Sequence, residues 1–273
     1  MARSPSSSLP GLTVARDGRR VVARNLPEEV PVAMVFEGGT QAVMMATPKD
    51  LEDFATGFAV TEGFVAEASE IAELEIVEHE RGLEARMWLA KDRSEALKAR
   101  RRSMMGPVGC GLCGIDSLEQ ALRDLPVLAE GGVTLPFAEV AGATEALRSH
   151  QPLHDQTHAV HAAGFLQAGQ GIVISREDVG RHNALDKLIG ALLRGGIDPA
   201  TGAIVLTSRV SVEMVQKTVI AGAPILIAVS APTALATRMA DAAGLTLAAF
   251  ARGQGFDLYA HPARILDGET DVA

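Results

Sequence analysis

The sequence predicts an α/β protein: a parallel or mixed sheet covered by helices, with a smaller N-terminal α+β region. Three observations predict it. Across the second half, short apolar runs alternate with helical patterns. Those runs are continuously apolar, as in strands buried on both faces of a sheet. The first half instead shows short alternating runs around one helical segment.

Taken in order, residues 1–20 read as a disordered tail, because Ser4 to Ser8 is serine- and proline-rich and no apolar signal-peptide run follows. Residues 21–130 form the N-terminal α+β region. Val32–Phe36 and Glu73–Val77 read as strands. Thr47 reads as an N-cap and Pro48 as the first residue of a helix running through Gly63. A basic run, Lys98 to Arg102, leads into a Gly/Pro loop and the sequence Gly109-Cys110-Gly111-Leu112-Cys113-Gly114. Asp116-Ser117-Leu118-Glu119 then opens a helix whose face carries Leu118, Leu122 and Leu125, and Pro126 stops it.

Residues 131–273 form the C-terminal region. Gly171–Ser175, Ala203–Leu206, Pro224–Val229 and Leu245–Phe250 read as strands. The first three are each followed by a polar turn and a helix. Each turn falls at the carboxyl end of its strand, the edge where open α/β sheets bind ligands. The turns carry Arg176, Asp178, His182, Ser208, Arg209 and Ser230 there, and Arg252 follows the last strand. Arginines beside helix N-termini suit a phosphate-bearing, nucleotide-like ligand.

Composition narrows the function. Among 273 residues, 47% are apolar and 22% charged, and the formal net charge of −9 argues against general nucleic-acid binding. No apolar run is long enough to span a membrane, and two cysteines make no disulfide framework, so a reducing cytoplasm is expected. Cys110 and Cys113 are the only cysteines. Two residues between thiols suit a redox dithiol, half a zinc site or a sulfur carrier. A loop feeding a helix N-terminus can lower a thiol pKa from ~8.5, although Asp116 and Glu119 oppose this.

A zinc ion could take Cys110, Cys113 and a histidine, but one Cys-x-x-Cys is a weak zinc signal without its other half. His158 and His161 follow Asp155, and His182 follows Arg181. Zinc deaminases place His-x-Glu before Pro-Cys-x-x-Cys. Here His79-Glu80-Arg81 has the wrong order, and Gly109 precedes Cys110.

Several long motifs in order carry a resemblance. They are Thr47-Pro48, Gly57-Phe58, Glu62-Gly63, Cys110-Gly111-Leu112-Cys113-Gly114, His161-Ala162-Ala163 and Arg176 to Lys187. Ser208-Arg209 with Glu213 and Lys217, Ser230 with Pro232 to Ala236, Phe250-x-Arg252-Gly253, Tyr259 and Arg264 continue them. From about Val32 to Ile265 the chain resembles the formate dehydrogenase accessory sulfurtransferases (FdhD).

That resemblance implies a cytidine-deaminase-like fold without the catalytic zinc. It implies a carrier that takes persulfide sulfur from a cysteine desulfurase on Cys110, with Cys113 beside it. The acceptor is a molybdenum or tungsten bis(molybdopterin guanine dinucleotide) cofactor, bound as substrate and destined for formate dehydrogenase. Phe250, Ala251, Arg252, Gly253, Gln254 and Gly255 match the segment that contacts its nucleotide. A homodimer is implied, with no resident metal, nucleic acid or membrane. Two rival classes are a dithiol oxidoreductase and a cofactor-binding chaperone whose cysteines clip zinc.

Overall fold

The structure, a computed structural model, describes residues 3–92, 123–253 and 255–266. Cys110, Cys113, Gln254, the basic run and most of the helix expected from Asp116 lie outside the described residues; the expected end of that helix, residues 123–126, is described and is not helical.

The N-terminal tail departs from expectation. β1 (Ser6–Ala15) and β2 (Gly18–Pro27) pair antiparallel through a two-residue connection, Arg16-Asp17, with Ala15 opposite Gly18. Gly18 at φ 136° turns the chain tightly, and cross-strand pairs such as Leu12 with Val21 hold the register. Alternation around a two-residue turn outweighs the serine-rich composition.

The N-terminal sheet has the order β4-β3-β6-β5, from β3 (Val30–Phe36), β4 (Gly39–Ala46), β5 (Ile71–His79) and β6 (Gly82–Leu89). Val32, Met34 and Phe36 alternate onto one face, where they pack with Phe54, Ala55 and Phe58 of α1 (Leu51–Thr61). Thr47 does not cap α1. The N-cap is Asp50, at φ 54°, because the Thr47 hydroxyl is taken by the Val179 amide, at 3.1 Å.

The C-terminal region is built on a six-stranded sheet, β13-β12-β11-β10-β8-β9. Its strands are β8 (His161–Gln167), β9 (Gly171–Asp178), β10 (Ala203–Leu206), β11 (Ile225–Ala228), β12 (Thr246–Arg252) and β13 (Gly255–Ala260). The sheet is mixed. β10, β11 and β12 are parallel, whereas β8 inserts antiparallel between β9 and β10, and β13 turns back along β12. Gly169 and Gly171, both at positive φ, close the β8–β9 hairpin that the strand-and-helix pattern did not anticipate.

Helices cover both faces. Ile204 and Leu206 face α4 (Arg181–Arg194), α5 (Val212–Ile220) and α6 (Ala234–Ala242). Ala203 and Val205 alternate to the other face, against α2 (Phe137–Arg148) and Leu135 of β7 (Leu135–Pro136), which pairs with β14 (Ile265–Leu266). α3 (Pro152–Thr157) precedes β8.

Candidate functional site

β9, β10, β11 and β12 end at one edge of the sheet, and β8 and β13 begin there. Backbone hydrogen bonds join the loops into a continuous rim. Thr207 N–H donates to Ala162 O, Val210 N–H to Ala231 O, Thr233 N–H to Val210 O and Val229 N–H to Leu206 O. α4, α5 and α6 start at this rim, so their unpaired first-turn amides point toward it.

Several expected residues stand there. Arg209 is exposed and Ser230 half-buried. Ser208 is buried and donates to its neighbour's carbonyl, Arg209 O, at 3.0 Å. Arg252 is exposed and donates from Nε to Val229 O at 3.1 Å, which lays its side chain across the end of β11 beside Ser230. Phe250 occupies the left-handed region at φ 53° and is 42% exposed, although Ala249 and Ala251 on either side are buried. A β-bulge there lets the strand present an aromatic side chain at the rim, and Thr144 Oγ1 bonds Ala251 O at 2.6 Å to hold it. Gly253, at φ 57°, makes the return into Gly255.

Arg176 and Asp178 are placed differently from expectation. Arg176 lies on β9 and binds Asp53 through Nε (2.8 Å) and Nη2 (2.7 Å), so its charge is engaged inside the chain. Asp178 is fully buried. It accepts from Lys187 Nζ at 2.6 Å, the Thr47 amide at 3.0 Å, the Gly180 amide at 2.8 Å and Asn183 Nδ2 at 2.9 Å. Lys187 Nζ also reaches Thr47 O at 2.9 Å. Glu177 accepts from the amides of Leu153 and His154 at the start of α3. The long polar motif thus ties β4, α3 and α4 together. A carboxylate buried with four donors has no lone pair left for a ligand.

The same motif carries residues that do face the rim. Arg181 and His182 open α4, and Ser211 is the N-cap of α5. Among the described residues, Arg181 Nε, His182 Nε2 and Ser211 Oγ are buried atoms without a hydrogen-bond partner. Glu213 Oε2 stands 4.0 Å from His182 Nε2. Burial, then the cations of Arg181 and Lys217, push His182 down to about 4, so its imidazole is neutral. His161, at the start of β8, is lowered by burial and by Arg181. Residue patterns alone pointed to His182 but not to Arg181 or Ser211. The available signal was an Arg-His pair directly after Gly180 and a serine before the next helix.

Close to His182 lies a buried ionic cluster. Lys217 Nζ bonds Asp186 Oδ1 and Oδ2 (both 2.9 Å), Thr61 Oγ1 (2.9 Å) and Glu62 Oε1 (2.8 Å). The two carboxylates hold Lys217 above the usual lysine range against the effect of burial. Burial raises Glu62, but Lys217 and Arg123 outweigh it and bring Glu62 to about 2. Arg123 pairs with Glu62 and donates to Thr61 O at 2.9 Å. No group of three or more His, Cys, Asp or Glu side chains suited to a metal occurs among the described residues. No helix among them is long and apolar enough to cross a membrane.

Comparison with known proteins gives this geometry a family. Residues 27–266 match the model of the FdhD/NarQ family. The chain is 50% identical to a sulfur carrier protein FdhD from Agrobacterium fabrum, over 93% of this chain and 94% of that one. It is 56% identical to a sulfur carrier protein FdhD from Brucella abortus, over 90% and 91%. A crystal structure of a protein assigned as a formate dehydrogenase accessory protein, from Desulfotalea psychrophila, superimposes with a TM-score of 0.77 at 28% identity. That superposition covers 96% of this chain and all of that one. On this evidence the chain belongs to the FdhD/NarQ family.

Proposed function

We propose that the protein is a sulfur carrier serving formate dehydrogenase, with Cys110 as the carrying residue. The Cys110 thiolate attacks the terminal sulfur of a persulfide on a cysteine desulfurase. The donor's S–S bond breaks, its own thiolate leaves, and a persulfide forms on Cys110. The sulfur then passes to a molybdenum or tungsten bis(molybdopterin guanine dinucleotide) cofactor, which is substrate here. The scaffold is read as deaminase-like, with the rim in the position of a ligand site.

One observation supports this reading above the others. Arg209, Ser230, Phe250 and Arg252 stand on the rim, and Arg181 Nε, His182 Nε2 and Ser211 Oγ, at the helix starts beside it, are buried without a hydrogen-bond partner among the described residues. Guanidinium groups and helix amides suit phosphate oxygens, and an exposed aromatic suits a planar base. The residues present therefore fit a dinucleotide. Neutral His182 can donate or accept at Nε2 without adding charge beside Arg181.

The test is mass spectrometry of the purified chain after incubation with a cysteine desulfurase and cysteine. The reading requires one added sulfur on the peptide containing Cys110, removable by a reductant. Sulfur on Cys113 alone, or on neither, defeats it.

A further inference from the structure

Arg123 is the first described residue after Cys113, and it is tied down at once. Its guanidinium pairs with Glu62 and donates from Nη1 to Thr61 O at 2.9 Å. The residues that follow are fixed as well. Leu125 and Leu128 pack against the core formed with α4, α5 and α6, and Leu128 N–H donates to Ala243 O at 2.9 Å. Arg264 donates from Nη2 to Ala129 O at 2.7 Å and from Nε to Gly131 O at 3.2 Å. Arg123 is thus where the stretch bearing Cys110 and Cys113 joins the body on its C-terminal side.

The carboxylate that holds this guanidinium belongs to the Lys217 cluster. Glu62 shares Lys217 Nζ with Asp186 and Thr61, and Thr61 Oγ1 donates to Asp186 Oδ1 at 2.7 Å. The cluster joins the end of α1 to α4 and α5. Asp186 lies one turn after His182 on α4, and Lys217 one turn after Glu213 on α5. Four residues of helix rise ~6 Å. Arg123 is therefore bound to a cluster about one helical turn from two of the helix starts at the rim. Charge explains why it is bound there. Asp186 alone neutralises Lys217, so Glu62 can take a second cation, and Arg123 is that cation. A buried ionic cluster often stabilises a protein no better than apolar packing does. What this one supplies is a fixed point for the incoming chain.

We infer that Arg123 is a positioning residue for sulfur transfer: bound to Glu62, it fixes the chain that leaves the cysteine pair about one helical turn from the rim, and so sets where Cys110 is presented to an acceptor there. The inference rests on the sulfur-carrier reading. Arg123 acts through the chain it holds, not on sulfur itself. Without the pair, the first fixed point moves to Leu125, which adds up to ~7 Å of chain between it and the sulfurs. A misplacement of ~1 Å can cost ~100-fold in a reaction that depends on position.

Two measurements on the full chain test it. Mass spectrometry after incubation with a cysteine desulfurase and cysteine reads the loading of Cys110. Formate dehydrogenase activity in a strain lacking the native carrier, at matched protein abundance, reads delivery. Arg123→Ala and Glu62→Gln each load Cys110 as wild type does, yet lower delivery ~10-fold or more. Both keep wild-type circular dichroism, because Lys217 retains Asp186. The double variant is no worse than either single, since all three lose one contact. Arg123→Lys, which keeps a cation for Glu62, recovers most of the delivery. A role in stability alone would instead move loading and delivery together. Unchanged delivery in either single variant, loading that falls in step with delivery, a double defect equal to the product of the singles, or a lysine variant as poor as alanine each overturn this inference while the sulfur-carrier reading stands. No sulfur on wild-type Cys110 is the failure of that reading, and it removes this inference with it.

Discussion

Gly57 of α1 and Gly190 of α4 cross backbone to backbone. A Cβ on Gly190 would lie 1.8 Å from Asp53 O, and one on Gly57 would lie 1.8 Å from Asp186 O. No rotamer relieves such overlap, because the obstacle is main chain. This crossing sets the N-terminal sheet against the C-terminal region, and the salt bridges of Asp53 to Arg176 and Arg194 flank it.

Gly190→Ala is therefore expected to lower stability by about 3 kcal/mol or more, with the helices forced apart. Gly142→Ala in α2 is the control. Its Cβ would meet nothing within 4 Å, so the helix-interior gain of up to ~1 kcal/mol should appear. Urea unfolding of both variants measures the contrast. Equal stabilities would show that α1 and α4 can separate freely.

Lys187 and Asp178 form a fully buried pair, with Nζ 2.6 Å from Oδ2. Lys187→Met should cost about 3–5 kcal/mol, because it strands a buried carboxylate. Lys187→Met/Asp178→Asn should recover part of that loss, since no net charge is then buried. Thermal melts of the single and double variants decide it, and a double variant less stable than the single contradicts the account.

His182 makes stability depend on pH. Its folded value, about 4, lies below the ordinary 6.5, so the unfolded chain binds the extra proton first. The contribution is full above pH 6.5 and is lost as pH falls toward 4. With the ring a third exposed, the loss is on the order of 2 kcal/mol after solvent screening. His182→Gln should flatten the stability profile across this window. An unchanged slope by denaturant titration at several pH values would assign the effect elsewhere.

Cys110→Ser should abolish the chain's support of formate dehydrogenase activity while leaving its melting temperature unchanged. Complementation of a strain lacking the native carrier reads this out. Full activity with serine at this position is incompatible with a persulfide there.

Arg252→Ala should weaken binding of a guanine nucleotide by ~1.5–3 kcal/mol, the value of a charged hydrogen bond. Among the described residues its guanidinium makes one hydrogen bond, from Nε to Val229 O, which leaves its other nitrogens for a phosphate. Isothermal calorimetry compares the two proteins, and equal affinity would move the nucleotide away from this loop.

Much of the fold was legible because it depends on local pattern. Ala203–Leu206 is a strand over the bounds its apolar run suggested, and Arg209, Ser230 and Arg252 reach one rim because parallel strands end together. Cys110 and Cys113 were singled out by scarcity and spacing alone. What residue order cannot carry is which polar groups meet across the chain. Arg176 and Arg209 look alike in sequence, yet one is bound to Asp53, 123 positions away, and the other is exposed. Asp178 reads as a ligand residue until the fold brings Thr47 and Lys187 against it and excludes water. Burial decides whether a charge serves stability or binding, and burial is a property of packed elements. The long Arg176–Lys187 motif divides on that ground: Glu177, Asp178 and the run from Asn183 to Lys187 are buried and tie β4, α3 and α4 together, while Arg181 and His182 open α4 at the rim.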